Sequence, residues 1–332
     1  MQSLDAKNNI SSAIAREAVA GDRHALARLL TWVENDTLEG QEALSELYPL
    51  AGRSHLVGVT GSPGSGKSSL VNQLARHFRN PADGQPSRKV AVVAVDPSSP
   101  FSGGAVLGDR VRMRDLAGDP GVFIRSMASR GASGGLASNT DRVVRVLDAV
   151  GYEVIMIETV GAGQSEIEIA DILVVNKADR PGVEATERSL LAMIEMNVDK
   201  WALRYAIDSD DPLEEDRLSA QWMPPVISTI AIQGTGIQEL VAQIDAHYKF
   251  LQQNDKWERH QLGRLRAELE NLVKDRLLVH WQNSLENGIF QQMLEAVSRR
   301  QISPEQAAQN LVAEFEAHSR SQKITNDSSS PE

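Results

Sequence analysis

The sequence predicts an α/β fold with a mainly parallel sheet, flanked by helical N- and C-terminal extensions. Two observations carry this. Short β-branched runs recur at LVGVTG (56–61), VAVVAVD (90–96), VIMIE (154–158) and ILVVN (172–176), nearly continuous in apolarity rather than alternating. Strands of that texture are covered by helices on both faces. Helical segments stand between several of them, at 68–79 and 139–150, and such strand–helix alternation is the pattern of a parallel sheet. PVISTIA (225–231) reads as a last strand and 237–251 as the helix after it.

Length and charge bound the rest. The chain has 332 residues, enough for about two domains. Its 34 Lys and Arg against 45 Asp and Glu give a net charge of -11. That balance argues against a nucleic-acid partner, whose phosphates are neutralised by basic side chains. Cysteine is absent, which removes disulfides, thiolate metal sites and a thiol nucleophile and fits a reducing compartment. No apolar run approaches the roughly 18 residues that span a bilayer, and the first residues lack a hydrophobic signal core. A cytoplasmic protein with no membrane partner is the expectation.

Residues 1–50 read as a helical arm. Ile14, Leu26, Leu29, Leu30 and Val33 share one apolar face, Gly21-Asp22 reads as a break between helices, and Gly40 as a second. The α/β domain runs over 51–250. A helical arm follows over 251–318, where Leu262, Leu265, Leu269 and Leu272 form a short apolar seam. Ser303-Pro304-Glu305-Gln306 is a helix start, with Ser303 as cap, Pro304 at the first helical position and Gln306 closing a capping box. Residues 319–332 read as a polar, disordered tail.

Gly61-Ser62-Pro63-Gly64-Ser65-Gly66-Lys67-Ser68 matches the P-loop pattern, between a strand and a helix as the motif requires. Its glycines let the backbone curl so that several N–H groups converge on one anion, and the helix adds its positive end. Lys67 is placed for the β- and γ-phosphates, Ser68 for Mg²⁺, and Ser69 for the α-phosphate. Asp96 and Glu158 each end an apolar strand, and in such a sheet ligands sit beyond the carboxyl ends of the strands. Acids there either hold Mg²⁺ or act as helix caps and loop charges.

Asn176-Lys177-Ala178-Asp179 follows a strand and matches N-K-x-D, the pattern that reads guanine. The Asp carboxylate accepts two N–H bonds from the guanine edge, and adenine lacks the matching donors, which leaves buried polar groups unpaired. The pairing of this motif with a P-loop argues for GTP over ATP, and against an ATP-dependent kinase or transport ATPase.

Together, GVTGSPGSGKSSL, AVDPSSPFSGGAVLGDRVRM, IETVGAGQSE and VVNKADRPG resemble the MeaB/ArgK-type GTPases, chaperones of methylmalonyl-CoA mutase. The resemblance covers most of the chain. It implies a GTP- and Mg²⁺-binding domain that hydrolyses GTP slowly, and a C-terminal arm that makes a homodimer. The implied partner is an adenosylcobalamin-dependent acyl-CoA mutase, whose cofactor loading is gated and which is protected from inactivation. Carried over by residue, Asp96, Asp109 and Glu158 match the Mg²⁺-associated acids, with Asp109 in the first switch. Residues 160–166 match the second switch, where Gln164 is the candidate for positioning water. Asn176, Lys177 and Asp179 match the guanine site. Ile230-Ala231 falls on the last nucleotide loop, where Ile230 replaces the usual serine and leaves backbone contact.

One departure matters. Only 15 positions separate Gly161 from Asn176. The family resembled has roughly thirty more residues there, about one βα unit. A missing interior strand predicts a gap in the sheet, or a displaced NKAD strand, and with either the guanine loop carried away from the P-loop. Nucleotide binding with weakened guanine selectivity and poor turnover follows, and a non-catalytic nucleotide-binding scaffold is the alternative. Elsewhere, Trp201, Trp222, Trp257 and Trp281 read as packing residues, and Asp208, Asp210 and Asp211 as a solvated loop. Arg110, Arg112 and Arg114 read as solvated charge.

Overall fold

The computed structural model describes residues 2–81, 84–96, 113, 115–116, 118–128, 138–159, 170–198, 222–253, parts of 262–281, and 288–327. The chain divides into two compact units, 1–251 and 252–332.

The first unit begins with three helices: α1 (Gln2–Val19), α2 (Arg23–Glu34) and α3 (Leu38–Leu47). Gly21, at φ +99°, makes the break expected between the first two. Asp22 caps α2 by accepting from the His24 and Ala25 N–H groups. The break before α3 falls at Asn35–Thr37, with Thr37 as cap, and Gly40 lies inside the helix. Gly40 serves close packing: a Cβ there stands 2.6 Å from the Trp32 carbonyl carbon.

A four-stranded, all-parallel sheet follows, in the order β1 (His55–Val59), β4 (Val154–Glu158), β2 (Val90–Asp96), β3 (Val122–Ala128). The mixed α/β architecture with parallel strands is the fold class that the sequence predicts. In β2, Ala91, Val93 and Val95 face one core, with α1–α3 and α5 (Ser138–Ala149); Val90 and Val92 face the other, with α4 (Lys67–Arg79) and α7 (Ile237–Gln252). The run is apolar at every position because both faces are covered. The N-terminal helices therefore share a core with the sheet and belong to its unit. Arg125 of β3 pairs with Glu34 at the end of α2, both largely shielded, and Arg142 of α5 pairs with Asp36. Asp148 accepts from the Gly52, Arg53 and Ser54 N–H groups and fixes the entry into β1.

β3 has no counterpart among the expected strands. Arg125 and Ser126 interrupt its apolar run, and Arg125 is a partner for the helical arm rather than a surface charge.

Among the described residues the sheet does not continue to the NKAD strand. β5 (Leu173–Asn176) and β6 (Val226–Thr229) form a separate two-stranded parallel sheet, with α6 (Val183–Met196) between them in sequence. Among the described residues the two sheets share no strand pairing. Trp222 packs here, its indole N–H donating to the Asp171 carbonyl and its ring against His247 and Phe250.

In the second unit, α8 (Ile289–Ser298) and α9 (Pro304–Asp327) pack on each other. The capping box forms as expected: the Gln306 N–H donates to Ser303 Oγ, and the Ser303 N–H donates to Gln306 Oε1. Trp281 stands edge-on to Phe290. α9 is helical through Asp327, so 319–327 continue a helix where a polar tail was expected. Among the described residues, no helix is long and apolar enough to cross a membrane.

Candidate functional site

The loop between β1 and α4 is shaped by three glycines at positive φ: Gly61 (+139°), Gly64 (+78°) and Gly66 (+94°). Side chains are disfavoured in that region, so the curl depends on glycine. The tip, at Ser62, Pro63 and Gly64, is exposed, whereas Ser65 and Gly66 are half-buried. α4 begins at Lys67, and the N–H groups of its first turn and its dipole give the loop an anion-attracting end. Lys67 Nζ is folded onto the loop, donating to the Gly61 carbonyl at 2.7 Å and to the Ser62 carbonyl at 3.2 Å. Ser69 lies half-buried one position past Ser68.

Ser68 is buried, and its hydroxyl donates to Glu158 Oε1 at 2.7 Å. Glu158 ends β4, and Ala94 of β2 is its register partner. Asp96 is the last residue of β2, two positions past Ala94, so the two residues terminate neighbouring parallel strands. A hydroxyl and carboxylates, completed by nucleotide phosphate oxygens, are the donor chemistry of Mg²⁺, and these residues fit it. Among the described residues no cluster of three or more His, Asp or Glu is placed to hold a metal. Asp109 and Gln164 lie outside the described residues.

The guanine motif is seated against the P-loop. Asn176 Nδ2 donates to the Ser65 carbonyl at 2.9 Å, and Lys177 Nζ donates to the Gly64 carbonyl at 2.6 Å. Asn176 Oδ1 accepts from the Ala231 N–H at 3.1 Å and from the Thr229 hydroxyl at 3.2 Å. One amide therefore joins the P-loop, the NKAD turn and the Ile230-Ala231 loop. Gly66 is required again here: a Cβ would stand 2.4 Å from Asn176 Nδ2. Lys177 adopts φ +62°, aiming its stem along the loop while Asp179 remains exposed. The Ile230 side chain is half-buried, its N–H donates to the Thr235 carbonyl, and Ala231 is buried. The guanine loop is thus bonded to the P-loop rather than carried away from it. Two hydrogen bonds, from Asn176 to Ser65 and from Lys177 to Gly64, hold the loop against the P-loop, and two more, from Thr229 and Ala231, fix the Asn176 amide. Sequence reasoning missed Thr229, fully buried at the end of β6; its signal is its place just before Ile230-Ala231.

The sequence matches the family described as methylmalonyl Co-A mutase-associated GTPase MeaB, over residues 26–170 and 167–286. The chain belongs to the MeaB family. Its match comes in two pieces that meet at 167–170, immediately before β5. A protein of Pyrococcus abyssi, provisionally named a GTPase, is 38% identical over 324 residues, covering 89% of this chain and 94% of its own length. GTPase ArgK of Escherichia coli is 29% identical over 310 residues, covering 88% of this chain and 92% of its own length. The fused isobutyryl-CoA mutase of Cupriavidus metallidurans is 32% identical over 217 residues, 56% of this chain and 20% of that protein. The crystal structure of an LAO/AO transport system kinase superposes with a TM-score of 0.61 at 24% identity, covering 91% of this chain and 96% of that one, and shows the same fold. The family and the P-loop fold together make this chain a MeaB-family GTPase, related to mutase-associated GTPases.

Proposed function

We propose that this chain binds GTP with Mg²⁺, hydrolyses it, and uses the cycle to chaperone an adenosylcobalamin-dependent acyl-CoA mutase of the methylmalonyl-CoA type, gating cofactor loading and protecting the enzyme. The clasp of Asn176 and Lys177 on Ser65 and Gly64 carries the nucleotide part of this reading. It holds a guanine reader at a fixed distance from a phosphate cradle, so one nucleoside triphosphate spans both.

In this reading Gly61, Ser62, Pro63, Gly64, Ser65 and Gly66 wrap the phosphates with backbone N–H groups. Lys67 leaves the Gly61 carbonyl for the β- and γ-phosphates, and Ser69 approaches the α-phosphate. Ser68, Asp96, Asp109 and Glu158 hold Mg²⁺, which neutralises charge between the phosphates. Asp179 reads the guanine edge, Ile230 and Ala231 close over the base through their backbone, and Gln164 orients water. The family's description and the fused mutase relative support the partner. The exposed Leu262, Leu269, Leu277, Phe290 and Leu294 of the second unit support a homodimer built through that unit. The cytoplasm fits the absence of cysteine.

The test is association with a methylmalonyl-CoA mutase followed by size-exclusion chromatography, with GDP or a non-hydrolysable GTP analogue present. A complex whose stability differs between the two nucleotides supports the role; no complex in either state refutes it. A non-catalytic scaffold is favoured by one observation, the divided sheet. Single-turnover GTP hydrolysis, with Lys67→Ala as the control, decides between them.

A further inference from the structure

β1 carries the P-loop, yet it is built as an edge strand. Residues Val90–Val95 of β2 are all buried, whereas in β1 Leu56, Val57 and Val59 are half-buried and Gly58 is exposed. Among the described residues β1 pairs with β4 alone and β5 with β6 alone. The ladders show which backbone groups are left. The His55 N–H donates to the Glu153 carbonyl and the Val59 carbonyl accepts from Thr159, so the odd positions of β1 face β4. Leu56 and Gly58 therefore point their N–H and C=O groups the other way. The Leu173 N–H donates to the Pro225 carbonyl, so Val174 likewise points away from β6.

The two free edges belong to one frame. Val57 and Val59 of β1, with Ile172 and Val174 beside and within β5, pack at the margin of the same apolar core. The Asn176–Ser65 and Lys177–Gly64 bonds tie the ends of the frame together. Leu56 packs on the opposite core, so the slot is apolar on both faces. The family match comes in two pieces that overlap at 167–170, between β4 and β5, where a chain crossing to fill such a slot belongs.

We infer that the slot between β1 and β5 accepts one extended strand supplied in trans: a continuous β-branched, apolar segment of another polypeptide, bonding to Leu56 and Gly58 on one side and Val174 on the other. Its chemistry follows from the frame. Open backbone edges demand an extended chain with unblocked amides. Two apolar faces demand Val, Ile or Leu at successive positions rather than an alternating pattern. The inference does not depend on which nucleotide the P-loop holds.

The test uses the full chain and a fluorescent synthetic peptide of about six Val and Ile residues flanked by lysines, a strand's length. A second peptide of identical sequence is N-methylated at alternate residues, which blocks edge bonding. Binding is read by anisotropy and located by hydrogen exchange. The expected result is saturable binding of the first peptide, slowed exchange at Leu56, Gly58 and Val174, and at least about tenfold weaker binding of the second. Gly58→Pro removes an N–H aimed at the slot and leaves the β4 ladder intact, so it should weaken the peptide to a similar degree. Equal binding of the two peptides, protection confined to other strands, or no saturable binding overturns the inference.

Discussion

Asn176 Nδ2 donates to the Ser65 carbonyl across 2.9 Å, joining two sheets that share no strand-to-strand pairing among the described residues. Its amide oxygen accepts from Thr229 and Ala231. Asn176→Ala deletes all three contacts, and each neutral bond contributes about 1 kcal/mol. GTP affinity should fall by about tenfold to a hundredfold, measured by calorimetry, with a smaller loss for inorganic triphosphate, which engages only the P-loop.

Ser68 and Glu158 are both buried and hydrogen-bonded to each other. Ser68→Ala removes the hydroxyl proposed to turn from the carboxylate toward Mg²⁺. Wild-type affinity for GTP should drop on adding a chelator. In the variant, the loss of affinity on chelation should be clearly smaller than in the wild type, because the ion loses one of its proposed protein ligands. A variant that keeps the full chelator effect would place Mg²⁺ elsewhere.

His55, at the start of β1, is buried and stacked on Tyr248 with ring centroids 4.2 Å apart. Burial pushes its pKa down to about 4, with Asp245 opposing the shift and Arg88 adding to it. The unfolded chain, with an ordinary histidine near 6.5, binds more protons between these values. The stability His55 contributes is therefore complete above pH 6.5 and is lost as pH falls to about 4. The full loss is on the order of 3 kcal/mol. His55→Phe keeps an aromatic partner for Tyr248 and should flatten that part of the pH–stability curve, read by denaturant unfolding across the window.

Gly40 sits in the interior of α3, where Gly→Ala ordinarily stabilises a helix by about 1 kcal/mol. Here the added methyl meets the Trp32 backbone at 2.6 Å, so the sign reverses. Gly40→Ala should destabilise the first unit by about 1–3 kcal/mol, seen as a lower thermal midpoint.

Much of this architecture was legible because the signals were local. The P-loop needs only glycines at fixed offsets, and the both-faces-covered strands announce themselves at Val90–Asp96. The capping box at Ser303 and Gln306 is likewise contained in four residues. What escaped was set by partners distant in sequence. β3 hides behind Arg125, whose charge makes sense only once Glu34 stands beside it. Gly40 reads as a breaker until Trp32 is seen against it. Thr229 gains a role only from Asn176, and the short interval from Gly161 to Asn176 does not disclose that two side chains hold the guanine loop against the P-loop.

The most direct test is calorimetric titration of the full chain with Mg-GTP and, separately, Mg-ATP. The clasp at Ser65 and Gly64 predicts saturable heat with GTP and at least about a hundredfold weaker binding of ATP, the discrimination a site built on paired polar groups achieves. Equal affinity for the two nucleotides, or no heat with either, contradicts it.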